Sequence, residues 1–285
     1  MWNVAKDQNR LWIKRRVVPG RIGFVSFVVF FIAVVGSTST DAYGADRESA
    51  WSSMWDVVML DHLRFYSSDR LIRMGIGYGI GGTIANTGVD EYIQDWYQED
   101  VRSSHTDDAA EVAKLFGEGK YLIPLSLLAA GVGACVPTEN RASNIGKWGK
   151  RTARAYAVGG PSMLLMQRVL GSSRPGETDH GSRWKPFNDT NGVSGHAFIG
   201  AVPFLTLARM SKDHPLRYIF YVASGLTGWS RINDNAHFTS QVFLGWFMAW
   251  EATGAVSESN GKDRAFKIQS MLFQDGVGVQ LSWQW

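Results

Sequence analysis

The chain is poor in cysteine, in charge and in long apolar runs, and each shortage excludes a class of protein. Its single cysteine, Cys135, excludes an internal disulfide framework and any zinc or iron–sulfur site built from cysteines. Charged residues make up 19% of the 285 residues and apolar ones 45%, which excludes wholesale disorder. With a mean hydropathy of −0.12, the chain is not made mostly of membrane spans.

Positive charge is in excess only at the N-terminus. The chain has 29 Lys and Arg against 26 Asp and Glu, and the first 44 residues hold six basic but only two acidic residues. The remainder therefore holds 23 basic and 24 acidic residues, a net charge of −1. A nucleic-acid-binding domain carries a basic patch or stripe, so no nucleic-acid partner is expected.

Residues 1–44 predict an export leader. Their basic residues precede an uncharged apolar stretch at residues 22–36, which small residues and the tripeptide Ala42-Tyr43-Gly44 follow. This order is typical of a secretory signal peptide. The stretch has 15 residues, fewer than the roughly 20 that span hydrocarbon, which favours cleavage near Gly44 over an uncleaved anchor in the inner membrane. In both cases we expect an exported protein of the bacterial periplasm or cell envelope.

Residues 45–260 predict an all-α domain, a compact bundle of buried helices. Seven segments are apolar at helical length and spacing, and no uninterrupted apolar run in them reaches the roughly 18 residues of a membrane span. Short helices that are apolar on most sides are typical of buried members of a bundle. The seven segments are Ser53–Phe65, Leu71–Ile84, Tyr121–Val136, Ala153–Leu170, Ala197–Met210, Leu216–Gly228 and Phe238–Gly254.

Residues 261–285 predict a short C-terminal β-hairpin. From Val277 to Trp285, apolar residues alternate with glycine, glutamine and serine, which is the period of a half-buried strand. Lys267–Phe273 precedes that strand, and Gln274-Asp275-Gly276 between them is a hairpin turn signal. One hairpin cannot close a barrel, so we expect it to pack as an edge on the bundle.

Two glycine motifs resemble nucleotide-binding sites but lack their context. Gly77–Gly82 matches the string G-x-G-x-x-G, yet it lies in an apolar helical segment with no parallel strands around it. Gly117–Lys120 lacks the spacing of a phosphate-binding loop and the Ser or Thr that follows its lysine. We therefore expect helix packing for the first motif and no nucleotide at either.

The residues that predict chemistry form three short strings at junctions between polar loops and apolar helices. They are Arg174-Pro175, then Val193-Ser194-Gly195-His196, and then Ser230-Arg231 followed after five residues by His237. Arginine presents a rigid fork of donors that matches phosphate oxygens. A serine and a glycine at a helix start add free backbone N–H groups at the positive end of the helix dipole.

Two histidines complete a set of groups that suits phosphoryl transfer. One imidazole can attack phosphorus while the other protonates the oxygen that leaves. No carboxylate cluster or histidine spacing in the sequence indicates a metal site, so the arginines would supply the charge stabilisation. The expected partner is a phosphate ester, and no metal or other cofactor is expected.

In order and spacing, the three strings resemble the type 2 phosphatidic acid phosphatase superfamily. That family includes bacterial non-specific acid phosphatases and vanadium haloperoxidases, and its pattern is Lys-x6-Arg-Pro, then Pro-Ser-Gly-His, then Ser-Arg-x5-His-x3-Asp. This chain has Gln167-x6-Arg174-Pro175, Val193-Ser194-Gly195-His196 and Ser230-Arg231-x5-His237-x3-Gln241. The match covers residues 150–250, and it implies the helical bundle of that family.

The resemblance implies a role for each matched residue. His237 would be the nucleophile that forms a phosphohistidine, and His196 would be the general acid for the leaving alcohol. The implied reaction is metal-independent hydrolysis of a phosphomonoester, either a soluble one or a lipid phosphate at the membrane surface. The equatorial oxygens of the phosphate would be held by Arg174, Arg231, Ser194 and Gly195.

Two departures from the family pattern keep other functions open. Gln167 stands where the family has lysine, and Gln241 stands where it has the aspartate that would orient His237. Residues 237 and 241 are one helical turn apart and can touch, so Gln241 can accept a hydrogen bond, with Asp234 as an alternative carboxylate. The departures motivate a second hypothesis, an envelope pseudo-phosphatase that binds phosphate with little turnover. A vanadium haloperoxidase is a third, which the missing lysine and the short chain disfavour.

The long loop Gly171–Asn191 is expected to cover the site and to influence substrate selectivity. Its polar residues His180, Arg183 and Lys185 are interpreted as surface residues, with additional phosphate contacts as the alternative. The two aromatic residues of the loop are Trp184 and Phe187.

Overall fold

The computed structural model describes residues 44–135, 142–178, 180–261, 266–273 and 276–283. Of the predicted leader, residues 1–44, all but Gly44 lies outside the described residues, and so do the predicted turn residues Gln274 and Asp275. Export, signal cleavage and the domain boundaries therefore stay predictions.

Within the described residues the chain forms nine α-helices, which confirms the predicted helical bundle. A short π-helical turn, Tyr97–Val101, continues the third helix. The helices are α1 (Gly44–Phe65), α2 (Ser68–Asn86), α3 (Val89–Trp96), α4 (Ser104–Leu115), α5 (Gly119–Cys135), α6 (Ala142–Leu170), α7 (Gly195–Met210), α8 (Leu216–Asn233) and α9 (Thr239–Gly261).

The first turns of α6 are the largest departure from the predicted helix bounds. The helix begins at Ala142, eleven residues before the predicted start. Small residues bring α5 and α6 into backbone contact there: a Cβ on Gly146 would lie 2.3 Å from the Gly133 Cα, and one on Gly149 would lie 2.5 Å from the Ser126 carbonyl oxygen. Packing through glycine leaves no apolar periodicity in the sequence, because there is no side chain to carry it.

Helix α9 lies at the centre of the bundle. It packs against α1, α2, α6, α7 and α8, and residues on more than one of its sides are buried, among them Leu244, Ala249 and Thr253. The nucleotide-like glycine motif lies on α2 where that helix meets α9. A Cβ on Gly77 would lie 2.3 Å from the Phe247 ring, and one on Gly81 would lie 2.9 Å from the Leu244 side chain. The motif therefore serves close helix packing, as expected.

A buried ion cluster also joins α2 to α9. The Arg70 guanidinium donates to the Glu251 carboxylate at 2.5 Å and to the Glu251 carbonyl oxygen at 3.0 Å. The Nε atom of Arg73 donates to the other carboxylate oxygen at 3.0 Å. Both charged oxygens of Glu251, which is 1% exposed, are thus paired with arginines. A buried carboxylate is stable only when its charge is compensated in this way.

Several helices carry large apolar side chains on their outer faces. On α2 these are Ile72, Ile76 and Ile80, all about half exposed or more and one helical turn apart, and α1, α5 and α8 carry comparable residues. None of the described helices has, by itself, both the length and the hydropathy of a membrane span. The pair Ser104–Leu115 and Gly119–Gly133, bent by 44°, meets both criteria when taken together.

After α9 the chain has two strands, β1 (Phe266–Phe273) and β2 (Gly276–Trp283). They pair antiparallel, with Phe266 opposite Trp283 and Phe273 opposite Gly276. The predicted packing of a C-terminal hairpin against the bundle stays a prediction.

Candidate active site

Four helix ends and one loop bring the predicted site residues together. Gln167 lies in the last turn of α6, Arg174 follows in the loop, and α7 begins at Gly195. Helix α9 lies close against this start, because a Cβ on Gly245 would be 2.3 Å from the Ser194 carbonyl oxygen. The Ser194 N–H also donates to the Gln241 carbonyl oxygen at 2.9 Å.

The turn between α8 and α9 explains the five-residue spacing between Arg231 and His237. The backbone N–H groups of Ala236 and His237 both return to the Arg231 carbonyl oxygen, at 2.9 and 3.2 Å. Asn235 adopts the left-handed conformation, with φ of 52°, which asparagine tolerates better than most residues. The turn thus places the His237 imidazole beside the Arg231 side chain.

Gln241 holds the His237 imidazole through a fully satisfied amide. Its Oε1 atom accepts from the Phe238 N–H at 3.1 Å and lies 2.9 Å from His237 Nδ1. Its Nε2 atom donates to Ser172 Oγ at 2.7 Å and to the Ser173 carbonyl oxygen at 2.6 Å. The side chain is 0% exposed, so the four partners together use its whole hydrogen-bonding capacity.

These partners fix both the orientation of the amide and the tautomer of the histidine. A backbone N–H can only donate and a carbonyl oxygen can only accept, so Phe238 must face Oε1 and Ser173 must face Nε2. Because Oε1 is an acceptor, the proton of the neutral His237 ring lies on Nδ1. The Nε2 atom of His237 is then left with its lone pair, as a nucleophile requires.

Electrostatics keep His237 neutral. Burial is the main cause that lowers its pKa to about 3, with the positive charges of Arg174 and Arg231 acting in the same direction. The hydrogen bond to Gln241 acts in the opposite direction. An uncharged imidazole is therefore present throughout the pH range above about 4.

The start of α7 presents the second histidine and a capped set of backbone donors. Ser194 is fully buried, and its Oγ atom accepts from the Ala197 N–H at 3.3 Å, which makes it the N-cap of the helix. The first N–H groups of a helix, here those of Gly195 and His196, have no intrahelical partner and favour an anion. The pKa of His196 is lowered by burial first and then by Arg231, while Glu118 raises it.

The two arginines keep donors available. Arg174 is exposed, and its Nε atom donates to Asn191 Oδ1 at 3.1 Å, which orients the guanidinium without using its terminal nitrogens. Arg231 pairs with Asp234 at 3.3 Å, and its buried Nε–H has no partner among the described residues. A buried donor left without a partner is costly, and a phosphate oxygen is a chemically suitable partner for it.

Asp234 and Gln167, which the sequence analysis considered for the missing aspartate and lysine roles, make other contacts in the structure. Asp234 is not a substitute for the missing aspartate, because its carboxylate faces Arg231 while Gln241 occupies the Nδ1 side of His237. Gln167 donates from Nε2 to the Val193 carbonyl oxygen at 2.8 Å. It lies beside Gly195, whose Cβ would be 3.4 Å from the same nitrogen. Gln167, which stands where the family pattern has lysine, thus holds the loop before α7 by a hydrogen bond but supplies no charge.

The loop Gly171–Asn191 is ordered by its own side chains, and one expectation for it is wrong. His180 is buried, and its ring nitrogens lie 3.0 Å from Ser173 Oγ and 2.8 Å from Thr178 Oγ1, so it is not a surface residue. Arg183 and Lys185 are exposed, as expected.

The aromatic residues of this loop point in different directions. The Trp184 ring packs on α2, because a Cβ on Gly82 would lie 2.9 Å from it, and its backbone N–H donates to Asn86 Oδ1 at 3.0 Å. Phe187 is 75% exposed and has a φ of 64°. The loop is therefore anchored to α2 by tryptophan.

Sequence reasoning missed the residues that support the site. Ser172 and Ser173 accept from Gln241, Asn191 orients Arg174, and Glu118 faces His196. No motif marks serine, asparagine or a turn glutamate of this kind. The N-capping pattern before α7 indicated only the start of the helix.

Comparison with known proteins gives one family and one solved structure. Residues 153–263 match the family model of the PAP2 superfamily. No curated protein matches the chain. A matching solved structure is described as the first transmembrane PAP2 type phosphatidylglycerolphosphate phosphatase from Bacillus subtilis, with 17% sequence identity and a TM-score of 0.49. The alignment covers 75% of this chain and 100% of that one.

Proposed function

We propose that this chain, whose residues 153–263 match the family model of the PAP2 superfamily, is a metal-independent phosphomonoester hydrolase. The observation that carries the proposal is the His237 imidazole, neutral and with its proton held on Nδ1 by Gln241. Its free Nε2 lone pair lies in a site that also contains two arginines and a second histidine. Such a set supports nucleophilic catalysis with electrostatic stabilisation of the transferred phosphoryl group.

In the first half-reaction, His237 Nε2 attacks phosphorus and the bond from phosphorus to the ester oxygen breaks. That oxygen leaves with its electron pair and takes a proton from His196, so an alcohol is released. The His237 ring then carries the phosphoryl group on Nε2 and its original proton on Nδ1. Gln241 Oε1 stabilises the resulting positive ring through a carbonyl dipole, which is weaker than the full charge of a carboxylate.

In the second half-reaction, water attacks the phosphohistidine. His196, now neutral, accepts a proton from that water as the new P–O bond forms. The N–P bond breaks, inorganic phosphate leaves, and His237 regains its neutral form. Arg174 and Arg231 stabilise the charge on the phosphoryl oxygens in both steps, assisted by the N–H groups at the start of α7.

A lipid phosphate is the substrate class that the surroundings of the site favour. A cavity of ≈ 400 Å³ lies between α7, α8 and α9. None of the predicted site residues lines it, but its walls include Ala197 and Gly228, which are close in sequence to His196 and Arg231. Tyr221 and Trp246 line it farther along. An acyl chain in such an apolar cavity contributes about 0.8 kcal/mol for each buried methylene.

The outer surface supports a membrane-associated substrate as well. The exposed isoleucines of α2 have counterparts on α8, whose Ile219 and Val222 are 61% and 73% exposed. Exposed apolar surface of this extent indicates an interaction partner, and a membrane that presents the lipid phosphate fits the proposed activity. Export to the cell envelope would place the enzyme at such a membrane.

The test is hydrolysis in the presence of a chelator. We expect the full chain to release phosphate from p-nitrophenyl phosphate, and to prefer phosphatidic acid in mixed micelles over glycerol phosphate. The His237→Ala variant should be inactive, because it lacks the proposed nucleophile. The matched control is His214→Ala, which removes an exposed histidine outside the site. Activity that survives in His237→Ala would overturn the mechanism.

The pseudo-phosphatase hypothesis has its own supporting observation. Neither glutamine supplies the charge of the family residue, because Gln167 is engaged with Val193 and Gln241 is a neutral amide. That function predicts phosphate binding by calorimetry without hydrolysis of any tested ester. Binding that is lost in Arg174→Ala, with no turnover in the parent chain, would favour it over the hydrolase.

A further inference from the structure

We propose that Glu118 is a positioning residue for the general acid, and that its carboxylate orients His196 and favours the protonated imidazole that the leaving oxygen needs. The inference rests on the proposed function. It assigns a role to a residue in the turn between α4 and α5, about 80 residues before His196 in the sequence.

The two side chains face each other at the distance of an ion pair, without a hydrogen bond between them. Glu118 Oε1 lies 4.0 Å from His196 Nε2, and both side chains are partly buried, with 33% and 40% exposed. The other carboxylate oxygen lies 3.5 Å from the Lys120 ammonium. A carboxylate at this distance favours the charged form of an imidazole.

The turn that carries Glu118 is held firmly against the site. A Cβ on Gly117 would lie 2.3 Å from Thr227 Cγ2 and 3.2 Å from the His196 carbonyl oxygen, so only glycine allows this approach. The Glu118 carbonyl oxygen accepts from the N–H groups of Tyr121 and Leu122, at 2.9 and 3.1 Å. The backbone is thus fixed on both sides of the carboxylate.

Glu118 opposes the effect of two nearby arginines on the protonation of His196. The groups that face this imidazole are Arg231 from the end of α8, Arg174 from the long loop and Glu118 from the turn. Both arginines oppose protonation of the ring, and within the described residues Glu118 is the one anionic group among the three. Gln241 places no charge beside His237, so the carboxylate of this site is on the side of the acid instead of the nucleophile.

A carboxylate beside His196 suits the different roles of the two histidines, His237 as nucleophile and His196 as general acid. The nucleophile has to be neutral and the acid has to be protonated at the same pH, although the same two arginines depress both pKa values. Burial is the main cause that lowers both pKa values, and a carboxylate beside His196 but not beside His237 opposes it at His196 only. When the phosphate ester binds, His237 is then neutral and His196 is protonated, as general acid catalysis with a nitrogen nucleophile requires.

The test uses Glu118→Gln in the full chain, which removes the charge and keeps the shape. Loss of the charge lowers the pKa of His196, so the high-pH limb of the kcat profile should move to lower pH by about 0.2 to 0.7 unit, as expected for a partly exposed pair. The matched control is Glu111→Gln, which removes an exposed carboxylate paired with Lys114 on α4. Its profile should be unchanged.

Leaving-group dependence separates this role from a structural one. Phenyl phosphate needs its leaving oxygen protonated, whereas 2,4-dinitrophenyl phosphate does not. At a fixed pH on the high-pH limb, Glu118→Gln should lower kcat for phenyl phosphate by about 1.4- to 5-fold and leave kcat for the dinitrophenyl ester nearly unchanged. Equal losses with both esters would contradict the proposal.

A second readout needs no turnover. Exchange of the histidine C2 hydrogen for deuterium, followed by mass spectrometry, reports the pKa of each imidazole separately. We expect the pKa of His196 to be lower in Glu118→Gln than in the parent chain, and an equal value would overturn the inference. A parent chain without phosphatase activity would refute the proposed function, while this measurement would still decide whether Glu118 acts on His196.

Discussion

The substitution Gln241→Glu tests the amide that orients His237, because it exchanges one NH2 group for an oxygen at nearly constant volume. One carboxylate oxygen can still accept from His237 Nδ1 and Phe238 N–H. The other replaces the donor that lies 2.6 Å from the Ser173 carbonyl oxygen, so two acceptors would then face each other. The nearby Ser172 hydroxyl can rotate to donate, but the carbonyl cannot.

The size of the effect follows from the buried carbonyl. A buried acceptor that loses its donor costs about 1–3 kcal/mol, and Gln241 is fully buried. For a domain of this size, each kcal/mol lowers Tm by about 2–4 °C. We therefore expect Tm of Gln241→Glu to fall by about 2–12 °C at pH 7.

The loss of stability in Gln241→Glu should be smaller at low pH than at pH 7. Burial and the facing carbonyl raise the pKa of the new carboxyl above its unfolded value of about 4.3. A group with a raised folded pKa contributes most stability below its unfolded pKa, and that contribution is lost as pH rises through the folded value. A protonated carboxyl can donate to the Ser173 carbonyl oxygen, so the difference from the parent chain should shrink near pH 4.

Although Gln241→Glu should be less stable than the parent chain, its catalytic rate per folded molecule should be higher. The added charge beside His237 stabilises the positive phosphohistidine ring, so kcat measured well below Tm should rise. Thermal unfolding at pH 4 and pH 7 supplies the stability values, and Gln94→Glu is the matched control at a less buried amide. If Gln241→Glu were as stable as the parent at pH 7, the Ser173 contact and the tautomer assigned from it would be wrong.

Two other perturbations have expected outcomes that the structure sets. Removing the carboxylate in Glu251→Ala takes the buried counter-charge from Arg70 and leaves it only Glu258, which lies at 2.5 Å and is 58% exposed. The free energy of unfolding in chemical denaturation should therefore drop by at most about 3–5 kcal/mol. A drop below about 1 kcal/mol would mean that the cluster is not buried in solution. The profile of kcat/KM against pH should retain its nucleophile down to about pH 3, where His237 becomes protonated. An acid limb centred near pH 6.5 that persists in His196→Ala would contradict the burial of His237.

The parts of the fold that the sequence predicted are those in which side chains carry the pattern. Helices α7 and α9 have long apolar segments: α7 was expected within two residues at both ends, and α9 within one residue at its start, although it ends seven residues beyond the predicted Gly254. The beginning of α6 could not be predicted in this way, because Gly146 and Gly149 bring backbones together and leave no periodic apolar side chain. Helix α3 is short and polar, and it was not expected at all.

In the site, too, the sequence predicted the motif residues but not the residues that hold them in position. The motif predicted that Arg174, His196 and His237 share one site, because their spacing follows helix starts and a tight turn. It could not predict that Gln241 donates to Ser173, since that contact depends on how the loop returns across the start of α9. The burial of His180 depends on hydrogen bonds within the loop, and a polar loop sequence does not distinguish an inward from an outward histidine.

The most direct test of the account is to trap the covalent intermediate. The full chain would be mixed with a phosphate ester for a few milliseconds, quenched in base, and digested for mass spectrometry under conditions that preserve phosphohistidine. The account predicts a phosphoryl group on His237 in the parent chain, and its accumulation in His196→Ala supplied with a good leaving group. Turnover with no phosphorylated His237, or with the label on another residue, would contradict it.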